Sequence, residues 1–174
     1  MANHRKRRID QMKRTHHILL TLAMILLLPV SALALNQGDS LLPFTAKDMD
    51  GKTIDLATVI GTKPVMLIFW ASWCPNCKSE VPKVNDLVRK YQEKGMEFIG
   101  INVGHNDSEG KARRFMDKTG MTYPVIFDNK GKISRQFGIQ GVPTILVADK
   151  KGVIVFKNYG VPEITDEKFQ QLNQ

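Results

Sequence analysis

The chain is poor in the side chains that hold metals. It has two cysteines and four histidines, and His4, His16 and His17 fall within the first 34 residues, leaving His105 alone beyond them. One cysteine pair with one histidine does not complete the four-ligand set of a structural zinc site, so metal binding is not expected, nor is any cofactor. A basic surface is missing as well. The net charge is +8, but Arg5, Lys6, Arg7, Arg8, Lys13 and Arg14 all precede Ala34, with only Asp10 against them. Beyond Ala34 there are 19 basic and 16 acidic residues, a net +3. No basic stripe remains to track phosphates, which removes nucleic acid as an expected partner. Internal repeats and low-complexity segments are absent too. At 174 residues the length suits one domain with an extension.

The extension reads as an export element. The basic arm is followed by an eleven-residue apolar core, Ile18–Leu28, then Pro29 and the Ala-x-Ala triplet Ala32-Leu33-Ala34. This is the layout of a secretory signal cleaved after Ala34. An uncleaved membrane anchor is the alternative, since 18 residues from Ile18 to Leu35 approach the minimum for a span. Either way the basic arm stays in the cytoplasm and the rest lies outside it, in a periplasm or on the outer face of the cytoplasmic membrane. Contact with the membrane is expected only through this segment. The expected divisions are 1–34 as signal peptide or anchor, 35–43 as a tether, and 44–174 as the folded domain.

Within the domain, hydrophobic periodicity alternates between strand and helix. Phe44–Lys47 and Thr53–Leu56 flank a Gly-bearing turn and predict a hairpin, with a helical turn around 56–60. Val65-Met66-Leu67-Ile68-Phe69-Trp70 is apolar throughout, the pattern of a central strand covered on both faces. Cys77, Val81, Val84, Leu87, Val88 and Tyr91 then recur at helical spacing, with Lys83, Asn85, Asp86, Arg89 and Lys90 on the other side. Pro82 should kink this helix and Gly95 should stop it. Further strands are expected at 96–103 and 122–127, and helices at 111–118 and 133–137. Thr144–Ala148 and Val153–Lys157 form a hairpin, and Thr165 caps a closing helix to Leu172. The order predicts a single α/β domain with a mixed sheet between helices.

The chemistry concentrates in Phe69-Trp70-Ala71-Ser72-Trp73-Cys74-Pro75-Asn76-Cys77-Lys78, where the central strand meets the helix. A static disulfide between Cys74 and Cys77 would close too short a loop to stabilise much, which favours a redox role. At the helix N-terminus the unpaired N–H groups and the dipole stabilise a Cys74 thiolate, and C-x-x-C thiols there have pKa values lowered to roughly 3.5–7.5. Pro75 suits the first helical position, where its missing N–H is no loss. The amides of Asn76 and Cys77 are free to donate to the sulfur. Cys77, nearly one turn on and on the apolar face, is the resolving thiol.

The stretch Phe69–Lys78, the later hairpin and Gly141-Val142-Pro143-Thr144 resemble the thioredoxin fold. The Cys-Pro-x-Cys pair, Glu80-x-Pro82 and the exported N-terminus are more narrowly similar to the TlpA/ResA group of extracytoplasmic thiol–disulfide oxidoreductases. The resemblance implies a mixed central sheet flanked by helices, an N-terminal hairpin, and an inserted strand and helix within Asn102–Phe127. It implies a cis Pro143 against the disulfide and a Glu80 carboxylate that modulates the thiols and helps move the Cys77 proton. Trp73, Pro75, Asn76 and Val142 would face the substrate, with Trp70 in the core and Lys78 in solvent. Members of the group usually reduce protein disulfides, for instance in apocytochrome c before haem attachment, and take electrons from a membrane thiol carrier. The intervening dipeptide here is Pro75-Asn76, where the group often has Glu-Pro or Pro-Pro. Peroxide-reducing relatives of the fold carry a T-x-x-C site, and Ala71 stands in the threonine's place. The expected function is exported protein-disulfide reduction. The alternatives are an oxidase or isomerase of the same fold, or a client-binding module with an incidental dithiol.

Overall fold

The structure, a computed structural model, describes residues 35–174. The expected signal or anchor at 1–34 lies outside the described residues. β3 (Val65–Trp70) is the centre of the fold, and all six of its residues are buried. It pairs in parallel with β4 (Glu97–Asn102) and antiparallel with β6 (Thr144–Ala148). β5 (Val125–Phe127) extends the sheet beyond β4, and β7 (Ile154–Asn158) extends it beyond β6, in the order β5-β4-β3-β6-β7. β1 (Thr45–Lys47) and β2 (Thr53–Asp55) form the separate N-terminal hairpin.

Strand side chains alternate between faces, and β3 therefore feeds two cores. Met66, Ile68 and Trp70 pack with α1 (Pro75–Tyr91), α2 (Glu109–Thr119) and α4 (Asp166–Leu172). Val65, Leu67 and Phe69 pack with the 3-10 turn Leu56–Thr58 and with Ile133 and Phe137 around α3 (Lys132–Gln136). Phe115 of α2 stacks on Trp70 with ring centroids 4.9 Å apart. The mixed sheet, the hairpin and the added α2–β5 segment are the thioredoxin-like arrangement implied by the resemblance. No helix among the described residues is long and apolar enough to cross a membrane.

Four local expectations need correction. The stretch 35–43 is docked rather than a free tether: Gly38 and Leu41 donate to the carbonyls of Ile154 and Gly152, both at 2.8 Å, and Leu41 is buried. Burying Leu41 and pairing its backbone with the start of β7 outweigh the entropy of a loose segment. Asn85 is not on the solvent side of α1. It is buried, donates to the Gly120 carbonyl at 2.7 Å and accepts from the Thr122 N–H and hydroxyl. These bonds hold 120–122 as a loop, so β5 begins at Val125 rather than at 122. Finally, α2 begins two residues earlier than periodicity suggests, because Ser108 caps it by accepting from the Lys111 N–H.

The longest helix runs from Pro75 through Pro82 to Tyr91. Its chain exit uses the expected glycine. Gly95 has φ +101°, its N–H donates to the Gln92 carbonyl, and the Met96 N–H donates back to Tyr91, the bond pattern of a Schellman close. The chain is thus turned directly into β4, the parallel neighbour of β3.

Candidate active site

The site lies where β3 ends and α1 begins. Cys74 is the N-cap residue of α1, with φ −92° and ψ 110°, and Pro75 starts the helix. Cys74 and Cys77 are joined in a disulfide with Cα atoms 5.3 Å apart. The Cys77 N–H donates to Cys74 Sγ at 3.1 Å; no such bond comes from Asn76. This is how a cap side chain satisfies an orphan helix amide. In the dithiol the same N–H would stabilise a thiolate at that position. Both cysteines are nearly buried, Cys74 at 5% and Cys77 at 3% exposure. Pro75 and Asn76 are exposed.

Tertiary structure brings the loop before β6 to the disulfide. The Val142–Pro143 bond is cis, and the Val142 carbonyl oxygen lies 3.6 Å from Cys74 Sγ. Val142 is part-buried and, with Trp73, lines a groove of about 480 Å³ next to the disulfide. Trp73 is half exposed and its indole N–H donates to the His105 carbonyl at 2.8 Å. Trp70, by contrast, is in the core, and Lys78 is exposed.

Glu80 lies in the second turn of α1, and its carboxylate is engaged by the chain after β7 and by Lys83. It accepts from the Val161 N–H and from Lys83 Nζ, both at 2.8 Å. Burial raises its pKa, but the bonds from Lys83 and Val161 and the Lys83 charge outweigh this and hold the carboxyl below its ordinary range. A proton carrier at neutral pH needs the opposite shift. In the disulfide form Glu80 is therefore a clamp on the loop at 160–161.

One group was not foreseen. Asp107 accepts from the Ser72 N–H and Ser72 hydroxyl, both at 2.6 Å, and from Asn102 Nδ2 and the Ser108 N–H, both at 2.8 Å. Burial opposes its ionisation, yet these bonds together hold its carboxyl below the ordinary range. The buried Asn102 completes the network by accepting from the Gly104 N–H at 2.9 Å. A carboxylate on the β4–α2 connection thus fixes the backbone two residues before Cys74. Only a polar cluster Asn102…Ser108 in the sequence hints at it, and nothing local links that cluster to Ser72. Among the described residues no three His, Cys, Asp or Glu gather as a metal site.

A cap-positioned cysteine pair beside a cis-proline loop, on a thioredoxin-like sheet, defines a thiol–disulfide oxidoreductase. Comparison with known proteins agrees. A family model described as AhpC/TSA matches residues 37–157, and the chain belongs to this family. It is 32% identical over 136 residues to the thiol-disulfide oxidoreductase ResA of Halalkalibacterium halodurans, covering 78% of this chain and 76% of that one. It is 36% identical over 127 residues to the ResA of Bacillus thuringiensis, covering 73% and 70%. A crystal structure of a thiol:disulfide interchange protein of the thioredoxin family from Chlorobium tepidum matches with a TM-score of 0.63 at 27% identity. That match covers 80% of this chain and 96% of the other.

Proposed function

We propose that the chain is an exported protein-disulfide reductase in which Cys74 attacks and Cys77 resolves. The observation that carries this is the position of Cys74 at the N-cap of α1, its sulfur facing the Cys77 N–H and the Val142 carbonyl. In the dithiol, Cys74 thiolate attacks one sulfur of a client disulfide, and the other client sulfur leaves as a thiolate. Cys77 thiolate then attacks Cys74 Sγ and expels the second client thiolate. Two electrons pass to the client, and the protein is left as the Cys74–Cys77 disulfide, the form described above. Renewed turnover takes two electrons from an external dithiol, in this reading a membrane thiol carrier. Apocytochrome c before haem attachment is the proposed client. The extracytoplasmic setting follows from the export element read in residues 1–34.

Trp73, Pro75, Asn76 and Val142 form the client-facing surface in this reading, and cis Pro143 holds Val142 beside the sulfurs. Glu80 modulates Cys77 only in the dithiol form. Peroxide reduction is not proposed, because Ala71 occupies the position a T-x-x-C site gives to threonine.

A Cys77→Ser variant tests the mechanism. It should accumulate client mixed disulfides through Cys74, and a doubly substituted Cys74→Ser/Cys77→Ser chain should trap none. If the Cys77→Ser variant traps no partner, the domain is a binding module rather than a reductase. The direction of electron flow is read from equilibrium with glutathione. A potential near the strongly oxidising value of about −120 mV would make it an oxidant instead.

A further inference from the structure

The groove beside the disulfide has two kinds of lining: the apolar side chains of Trp73, Val103, Ile139 and Val142, and the cations Lys130 and Arg135. No Asp or Glu lines it. Lys130 and Arg135 are exposed, and among the described residues neither pairs with a carboxylate. Arg135 lies across Gly131 and donates one N–H to the Lys130 carbonyl at 2.6 Å, which orients the guanidinium. The nearest acid in sequence, Asp128, is buried and committed to the Ser134 N–H and hydroxyl. By contrast, Lys63, Lys83, Arg89, Lys90, Lys94 and Arg113 each meet a carboxylate.

The concavity is built into the fold. Gly104 has φ +69°, and a Cβ there would stand 2.4 Å from the Asp128 carbonyl oxygen. Only glycine lets the 104–106 loop lie this close to the 128–131 turn. The same loop holds the Trp73 indole through His105. The groove's lining includes Val142, whose carbonyl oxygen lies 3.6 Å from Cys74 Sγ.

We propose that this groove selects extended client segments in which an Asp or Glu side chain flanks the disulfide-bonded cysteine, its carboxylate pairing with Lys130 and Arg135. The apolar lining takes a neighbouring side chain of the same segment. The inference rests on the disulfide-reductase reading and names the substrate class of that site. Exposed charges of this kind act mainly on encounter and selectivity, and salt screens them.

The test uses the full-length dithiol protein and two synthetic disulfide peptides that differ only in Glu against Gln at residues flanking one cysteine. The Glu peptide should be reduced with about fivefold higher kcat/KM, the size expected of two exposed ion pairs, and added salt should erode the ratio. In Lys130→Gln/Arg135→Gln the ratio should fall to unity, and in Lys130→Glu/Arg135→Glu it should invert. Each variant's own Gln peptide is the internal control for impaired folding. Equal rates for both peptides on the unaltered protein would overturn the inference while leaving the reductase reading intact. So would a preference that survives both double substitutions, or equal competition by a free dicarboxylate without a cysteine. If neither peptide is reduced, the reductase reading falls and the inference falls with it.

Discussion

Two carboxylates stand at opposite ends of the redox stretch, and they are held differently. Asp107 receives four hydrogen bonds, all from uncharged groups, two of them from Ser72, two residues before Cys74. Glu80 receives one from the Val161 backbone and one from the flexible, mostly exposed Lys83. Both are acidified in spite of burial. In the disulfide form the acid near Cys77 is held as a loop clamp. The acid that shapes the reacting loop comes from another element. Four neutral donors hold a charge in place without adding a second titratable group.

Substitutions separate the two roles. Asp107→Asn should have the largest effect. It presents a donor where Asp107 accepted, leaving part-buried donors unpaired at a cost of about 1–3 kcal/mol. Denaturant unfolding measures that loss, and the rate of Cys74 alkylation in the dithiol should change with it. Gly104→Ala strikes the same side through the backbone, where a Cβ meets the Asp128 carbonyl at positive φ. It should cost about 1–3 kcal/mol and alter Trp73 fluorescence. Glu80→Gln should be milder, about 0.5–1.5 kcal/mol at neutral pH. Unchanged thiol titrations and reduction rate in this variant would remove Glu80 from the chemistry altogether.

The smallest effect is a pH dependence common to both acids. Their folded-state values lie below the unfolded ones, so the stability they add is complete above about pH 5.5 and is lost as the pH falls through the unfolded and then the lower folded values. Unfolding curves of Asp107→Asn and Glu80→Gln should therefore converge on that of the unaltered protein in strong acid. Convergence for Glu80→Gln alone would show that Asp107 acts through geometry rather than charge.

Much of this architecture was legible wherever neighbours in sequence decide the structure. The unbroken apolar run 65–70 announced a doubly buried strand, Thr165 its helix cap, and Gly95 its turn. Three of the four misreadings share one cause, a partner distant in the sequence. Asn85, assigned to the polar side of a helix, is buried because the 120–122 loop lies over it. The 35–43 stretch looked like a tether because the partners that dock it, at Gln136, Gly152, Ile154 and Lys157, lie far along the chain.

The sequence by itself determined the cysteine pair and the strand-to-helix junction that holds it, because C-x-x-C spacing, a proline at the first helical position and residue periodicity are local properties. Tertiary structure alone decided what surrounds the sulfurs. The order β4-β3-β6 places two chain-distant loops at the C-terminal end of β3, carrying Val142 to Cys74 and Asp107 to Ser72. Those partners are set by which strands pair, and no spacing along the chain records that choice.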